Sequence, residues 1–197
     1  MKKRIGILGG TFNPPHIGHL MMANEALNAL SLDEIRFMPN GVPPHKVVDM
    51  PVSDAERLKM LEIATAPYPQ FTVEPYEINK GGISYTAITM RELTKREPEA
   101  AFYFIMGGDM IESLHTWHDI GTLNQLVTFV GFARPHTQAQ TIYNVKMVDA
   151  PQFDISSTML RRRFNEGRTV QFLIPEAVAN YVREEGLYGA TTTTNGN

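Results

Sequence analysis

Short apolar runs alternate with helix-like stretches along this chain, and that alternation restricts its fold more than any other feature. Ile5–Leu8 stops at Gly9-Gly10, after which Leu20, Ala23, Ala26, Leu27 and Leu30 recur at helical spacing. Ile35–Met38 closes at Pro39-Asn40-Gly41. Phe71–Glu74, Ala101–Met106 and Val127–Ala133 are further runs of the same kind. Among the helical stretches, Ser53 or Asp54 can cap one carrying Leu58, Leu61 and Ile63, and Ser84–Lys95 is helical up to the neighbourhood of Pro98. Ser157–Phe164 and Pro175–Glu185 complete the series. The run Ala101–Met106 is almost wholly apolar, as a strand covered on both faces should be. Strands interleaved with helices imply an α/β fold, a parallel sheet of about five strands with helices on both faces. A small C-terminal helical part from about 150 to 189 is expected to follow. Such sheets bind ligands beyond the carboxyl ends of their strands, where the strand order reverses. Two of those ends, at Gly9-Gly10 and Gly107-Gly108, are glycine pairs.

Composition narrows the chemistry. At 197 residues the chain suits one domain, expected over 1–189, with a polar tail over 190–197 that has nothing to bury and should be disordered. It has no cysteine, which excludes disulfides, thiolate metal centres and a cysteine nucleophile. The basic start Met1-Lys2-Lys3-Arg4 precedes too short an apolar stretch for a secretion signal, and Val127–Ala133 is far short of the roughly 18 residues of a membrane span. A cytoplasmic protein is the simplest expectation. A net charge of −3 gives no general attraction to nucleic acid or to anionic lipid, so any anion site must be local.

The segment Gly9-Gly10-Thr11-Phe12-Asn13-Pro14-Pro15-His16-Ile17-Gly18-His19 is the first place to look for one. Its glycines do not fit the G-x-G-x-x-G fingerprint, and no G-K-[ST] occurs in the chain. Glycine lets a ligand approach the backbone closely, a helix start favours anions, and His16 and His19 share one face of that helix. Two imidazoles on an anion-binding helix start suit a polyphosphate, although one histidine capping the helix and the other packing beneath the loop would also account for them. A second segment, Ser156-Ser157-Thr158 with Arg161 one turn on, offers hydroxyls and a guanidinium at another helix start. Arg162, Arg163 and Arg168 read as a solvated face. Asp109 follows Gly107-Gly108, where it can meet a ribose or cap a helix. Trp117 has polar neighbours and can stack on a flat ring. His115 and His118 read as surface residues, and Lys46 stands in a proline-stiffened loop as a point charge for an anion.

These segments, taken together, resemble a known family. His16-Ile17-Gly18-His19 is similar to the His-x-Gly-His motif of the nucleotidyltransferase superfamily, and the longer string resembles bacterial nicotinate-nucleotide adenylyltransferases. Pro43-Pro44-His45-Lys46, Ser84-Tyr85-Thr86, Gly107-Gly108-Asp109, Trp117 and Ile155–Arg161 resemble further segments of that family in the same order, from Ile5 to Tyr188. Asn13, where the family usually has Asp, and Leu160, where it usually has Ile, depart from it. The resemblance implies a Rossmann-like, doubly wound fold. It implies transfer of an adenylyl group from ATP to nicotinate mononucleotide, with Mg²⁺ carried on the ATP phosphates and no dedicated metal ligands. His16, His19 and Arg161 would be catalytic. ATP would lie on Gly9, Gly10, Thr11, Phe12, His16, His19, Asp109, Ser156, Ser157, Thr158 and Arg161. The mononucleotide would lie on Asn13, Lys46, Thr86, Trp117, His118 and Arg134. A homo-oligomer stays open, as do a different acceptor, such as pantetheine phosphate, and a regulator that binds nucleotide without turnover.

Overall fold

The computed structural model describes residues 2–41, 52–132, 141–151 and 154–191. Six strands form one wholly parallel sheet in the order β3-β2-β1-β4-β5-β6. They are β1 (Lys3–Gly10), β2 (Glu34–Pro39), β3 (Phe71–Val73), β4 (Ala100–Gly107), β5 (Val127–Phe132) and β6 (Val145–Val148). The helices are α1 (Ile17–Ala29), α2 (Asp54–Thr65), α3 (Tyr76–Lys80), α4 (Thr86–Arg96), α5 (Gly108–Glu112), α6 (Ile120–Leu126), α7 (Ser157–Asn165) and α8 (Glu176–Glu184).

The expectation of about five strands falls one short of the six observed. The strand it lacks, β6, is a four-residue edge strand whose Lys146 and Met147 are exposed, so it carries no apolar run for a sequence pattern to show. The tail over 192–197 lies outside the described residues. Among them, no helix is long and apolar enough to cross a membrane.

Side chains alternate across β1 as the pleat requires. Ile5 and Ile7 join Met90 and Leu93 of α4 and Leu123 of α6 on one face. Leu8 joins Leu20, Ala23 and Ala26 of α1 on the other. Gly6 has no room for a side chain, since a Cβ there would stand 2.5 Å from Cδ1 of Ile35. A third apolar cluster joins Met60 and Ala64 of α2 to Leu160 and Phe164 of α7, Val178 and Val182 of α8, and Leu187 and Tyr188. It pulls the last elements of the chain against α2, beside the loop between β1 and α1. The strand order reverses between β1 and β4, so the crevice expected of such a sheet opens beyond Gly10 and Gly107.

Candidate active site

The floor of the crevice is bare backbone. A Cβ on Gly9 would come within 3.0 Å of the Phe104 ring, and one on Gly10 within 3.0 Å of the Phe12 ring. A Cβ on Gly107 would meet nothing within 4 Å, so open space lies over the end of β4. Aromatic rings thus lie close over Gly9 and Gly10, while the end of β4 at Gly107 is open to a ligand.

Between β1 and α1 the chain passes through Thr11, Phe12, Asn13, Pro14 and Pro15, with a cis peptide at Asn13–Pro14. Phe12 takes a left-handed φ of 49° and is buried edge-on to His19 at 4.9 Å. The carbonyls of this loop are claimed by side chains from two other elements. Arg57 of α2 donates from Nη1 to the Thr11 carbonyl at 2.9 Å, and from Nη2 to the Asn40 carbonyl at 2.7 Å and to Asp54 at 2.6 Å. Arg161 of α7 donates from Nη1 to the Asn13 carbonyl at 3.0 Å. The Ser157 hydroxyl donates to the Pro14 carbonyl at 2.9 Å. A peptide is planar, so the one that turns the Thr11 oxygen toward Arg57 presents the Phe12 N–H on its opposite edge.

His16 is the residue before the first turn of α1, and its backbone N–H donates to Nδ1 of His19 at 3.1 Å. The two rings stack with centroids 3.7 Å apart. Gly18 makes this possible, because a Cβ there would press within 3.1 Å of the His16 ring. Burial, and then the neighbouring His16, push the His19 imidazole well below its ordinary value. A neutral ring whose Nδ1 accepts a hydrogen bond carries its proton on Nε2. His19 is thus held as a neutral donor. The helix-capping reading and the ligand reading of this pair are compatible, because the contact that satisfies the helix end also selects the tautomer.

Ser156 caps α7, accepting from the Met159 N–H at 3.2 Å. Arg161 also donates to the Thr158 hydroxyl at 3.2 Å. The second serine-rich segment is thereby fastened to the first glycine-rich one across 143 residues of sequence.

On the other side of the crevice, Thr86 opens α4 and is half-buried. Trp117, also half-buried, meets Phe104 edge-on at 5.7 Å. His118 is exposed, its ring 4.5 Å from that of Tyr85, and His115 is exposed as well. Asp109 lies in the first turn of α5, which starts directly after β4, while its side chain lies outside the described residues. Lys46 and Arg134 lie outside them too. Asn13 is 3% exposed, and its Oδ1 accepts from the Tyr188 hydroxyl.

Arg57, Glu77 and Tyr188 escaped the reading of the sequence. Arg57 shares a helix face with the buried Met60, Leu61 and Ala64, three, four and seven residues on, and that spacing marks it as a charge facing inward. Tyr188 carries no comparable signal, since its partner stands 175 residues away.

The model of the family described as "Cytidylyltransferase-like" matches residues 7–163. A protein of Geobacillus thermodenitrificans named "Probable nicotinate-nucleotide adenylyltransferase" is 50% identical over 190 residues, covering 96% of this chain and 88% of its own. One of Bacillus cytotoxicus with the same name is 47% identical over 186 residues, covering 94% and 98%. The solved structure of Plasmodium falciparum nicotinic acid mononucleotide adenylyltransferase complexed with NaAD superposes with a TM-score of 0.77 at 19% identity, over 95% of this chain and 98% of that one, and so has the same fold. With about half of its residues shared with such relatives over nearly its whole length, the chain belongs to the nicotinate-nucleotide adenylyltransferases of the cytidylyltransferase-like family.

Proposed function

We propose that the chain joins ATP to nicotinate mononucleotide, giving nicotinate adenine dinucleotide and pyrophosphate. One observation carries this reading beyond the family name: Ser157 and Arg161 are bonded to the carbonyls of the loop that leads into His16 and His19. Two phosphate-suited segments thus form a single face at the switch point of the sheet. In the step itself, a phosphate oxygen of the mononucleotide attacks the α-phosphorus of ATP. The bond from that phosphorus to the bridging oxygen breaks, and pyrophosphate leaves with the electron pair. The nucleophile is already anionic, so no strong base is required, and catalysis rests on positioning and on donors aimed at the growing charge. The neutral Nε2–H of His19 and the peptide groups of Gly9, Gly10, Thr11 and Phe12 are such donors. His16 stacks beside them. Ser156, Ser157, Thr158 and Arg161 take the departing phosphates, Arg161 keeping guanidinium donors beyond those already engaged.

Mg²⁺ enters as part of the nucleotide substrate. The ion is kept mainly by phosphate oxygens and water, as Mg²⁺ is at other phosphoryl-transfer sites. Thr86, Trp117 and His118 line the acceptor half, with Lys46 and Arg134 as further candidates, Asp109 belongs to the ATP side, and the site works in the cytoplasm. The test is a product assay with ATP and, separately, nicotinate mononucleotide, nicotinamide mononucleotide and pantetheine phosphate. Pyrophosphate and the dinucleotide should form fastest with the acid. A carboxylate only accepts hydrogen bonds whereas the amide NH₂ donates, and such mismatches can reach ~10⁴ in specificity. Equal rates with acid and amide would overturn the acceptor assignment, and ATP binding without pyrophosphate release would leave only a nucleotide-binding role.

A further inference from the structure

Glu77 is an acid buried beneath the acceptor half of the crevice, and the chemistry just described leaves it without a task. It is 4% exposed. The Thr89 hydroxyl, on the inner face of α4, donates to its Oε1 at 2.7 Å. The Ser84 hydroxyl hydrogen-bonds to the same carboxyl group and accepts from the backbone N–H of Gly41 at 2.8 Å. These contacts form a chain: Gly41 N–H to Ser84, Ser84 to Glu77, and Thr89 to Glu77 from the opposite side. Burial pushes the carboxyl above its ordinary value, with the Thr89 and Ser84 hydroxyls and the charge of Lys80 pulling the other way. The acid is thus kept in a costly place by a small set of polar contacts.

The ends of that chain of contacts give it meaning. Gly41 follows β2 by two residues and, in sequence, precedes Lys46 by five. Ser84 stands two residues before Thr86, the first residue of α4. The turn between α3 and Ser84 runs through Gly81 and Gly82, whose left-handed φ values of 69° and 72° fold Ser84 back over Glu77. Gly41 fits tightly against the same element, since a Cβ on it would stand 3.0 Å from the Glu77 carbonyl. One carboxyl therefore ties together the exit of β2 and the start of α4, two segments that are not neighbours in sequence.

We propose that Glu77 is a positioning residue for the acceptor: through Ser84 and Thr89 it holds the loop exit at Gly41 and the first turn of α4 in one geometry, and so sets the shape of the mononucleotide subsite while leaving the ATP side untouched. This rests on the acceptor reading above. The test measures KM for both substrates, and kcat, in Ser84→Ala, Glu77→Gln and the double variant. Ser84→Ala removes the hydroxyl that joins Gly41 to the acid. Losing such a buried contact should raise KM for nicotinate mononucleotide about tenfold. KM for ATP should stay within about twofold, since no member of the chain touches the His16–His19 or Ser157–Arg161 side. The double variant should be no worse than Ser84→Ala alone, because both substitutions cut one connection. Three results would overturn the proposal: unchanged KM values in Ser84→Ala, parallel losses for both substrates, or multiplying effects in the double variant. If Glu77→Gln does not fold, Thr89→Val takes its place and must show the same selective rise. Wild-type protein run alongside keeps the two readings apart, since failure to turn over nicotinate mononucleotide at all would sink the acceptor assignment rather than the role of Glu77.

Discussion

His19 is held neutral by its surroundings, and that has two measurable consequences. A ring that is harder to protonate in the folded state lets the unfolded chain take the proton first. The stability it contributes is therefore complete above the ordinary value of 6.5 and is lost as pH falls below it. Urea denaturation followed from about pH 7.5 down to 5 should show a fall in stability that is shallower in His19→Asn. The same variant should lose ~10²–10³ in kcat with little change in ATP binding, as expected for a donor that acts on the transition state. Arg161 is the contrasting case. It braces Asn13 and stands beside Thr158, so Arg161→Ala should weaken ATP in calorimetric titration while AMP, which lacks the outer phosphates, binds nearly as before. Equal losses would mean that the brace is its whole role. His16, His19, Ser157 and Arg161 were legible in the sequence because each sits in a short contiguous motif. Arg57, Glu77 and Tyr188 were not, because each stands outside any short motif and reaches partners up to 46, 12 and 175 residues away.

At the scale of elements, α2 does more than cover the sheet. Its Arg57 bridges the exits of β1 and β2, with one guanidinium nitrogen on the Thr11 carbonyl and the other on that of Asn40. Arg57→Ala leaves those oxygens without their donors and should cost about 2 kcal/mol in denaturant unfolding. Arg57→Lys should recover little of it, since an ammonium lacks the planar fork that reaches both carbonyls. Helix starts followed chemical rules visible in the sequence: Ser53 caps α2 and exchanges hydrogen bonds with Glu56, and Ser156 caps α7. Residues Ser84 and Tyr85, expected to be helical, instead lead into α4 at Thr86, because Ser84 is engaged with Gly41 and Glu77. The short elements α3 and α6 and the edge strand β6 were invisible to pattern reading, for they span only four to seven residues and complete no apolar period of their own.

Across the whole molecule, the two ends of the described chain meet at the site. Tyr188, buried and at a left-handed φ of 56°, donates its hydroxyl to Asn13 in the loop after the first strand. Tyr188→Phe would strand the Asn13 oxygen in a buried place. It should lower stability by roughly 1–3 kcal/mol, as read from thermal or denaturant unfolding, and reduce kcat more than a surface substitution of equal size. If Tyr188→Phe matched wild type in both, the C-terminal buttress would have no part in holding the loop. The parallel sheet was expected from the alternation of strand and helix patterns, but this closure was not, since nothing local in sequence pairs Asn13 with Tyr188. The closure also bears on synthesis. A ribosome adding roughly 5–20 residues per second makes His16 and His19 many seconds before Ser157, Arg161 and Tyr188 emerge to brace them. An unfinished chain holds both histidines with no support for the loop that aims them, so turnover should begin only once Tyr188 has emerged and packed.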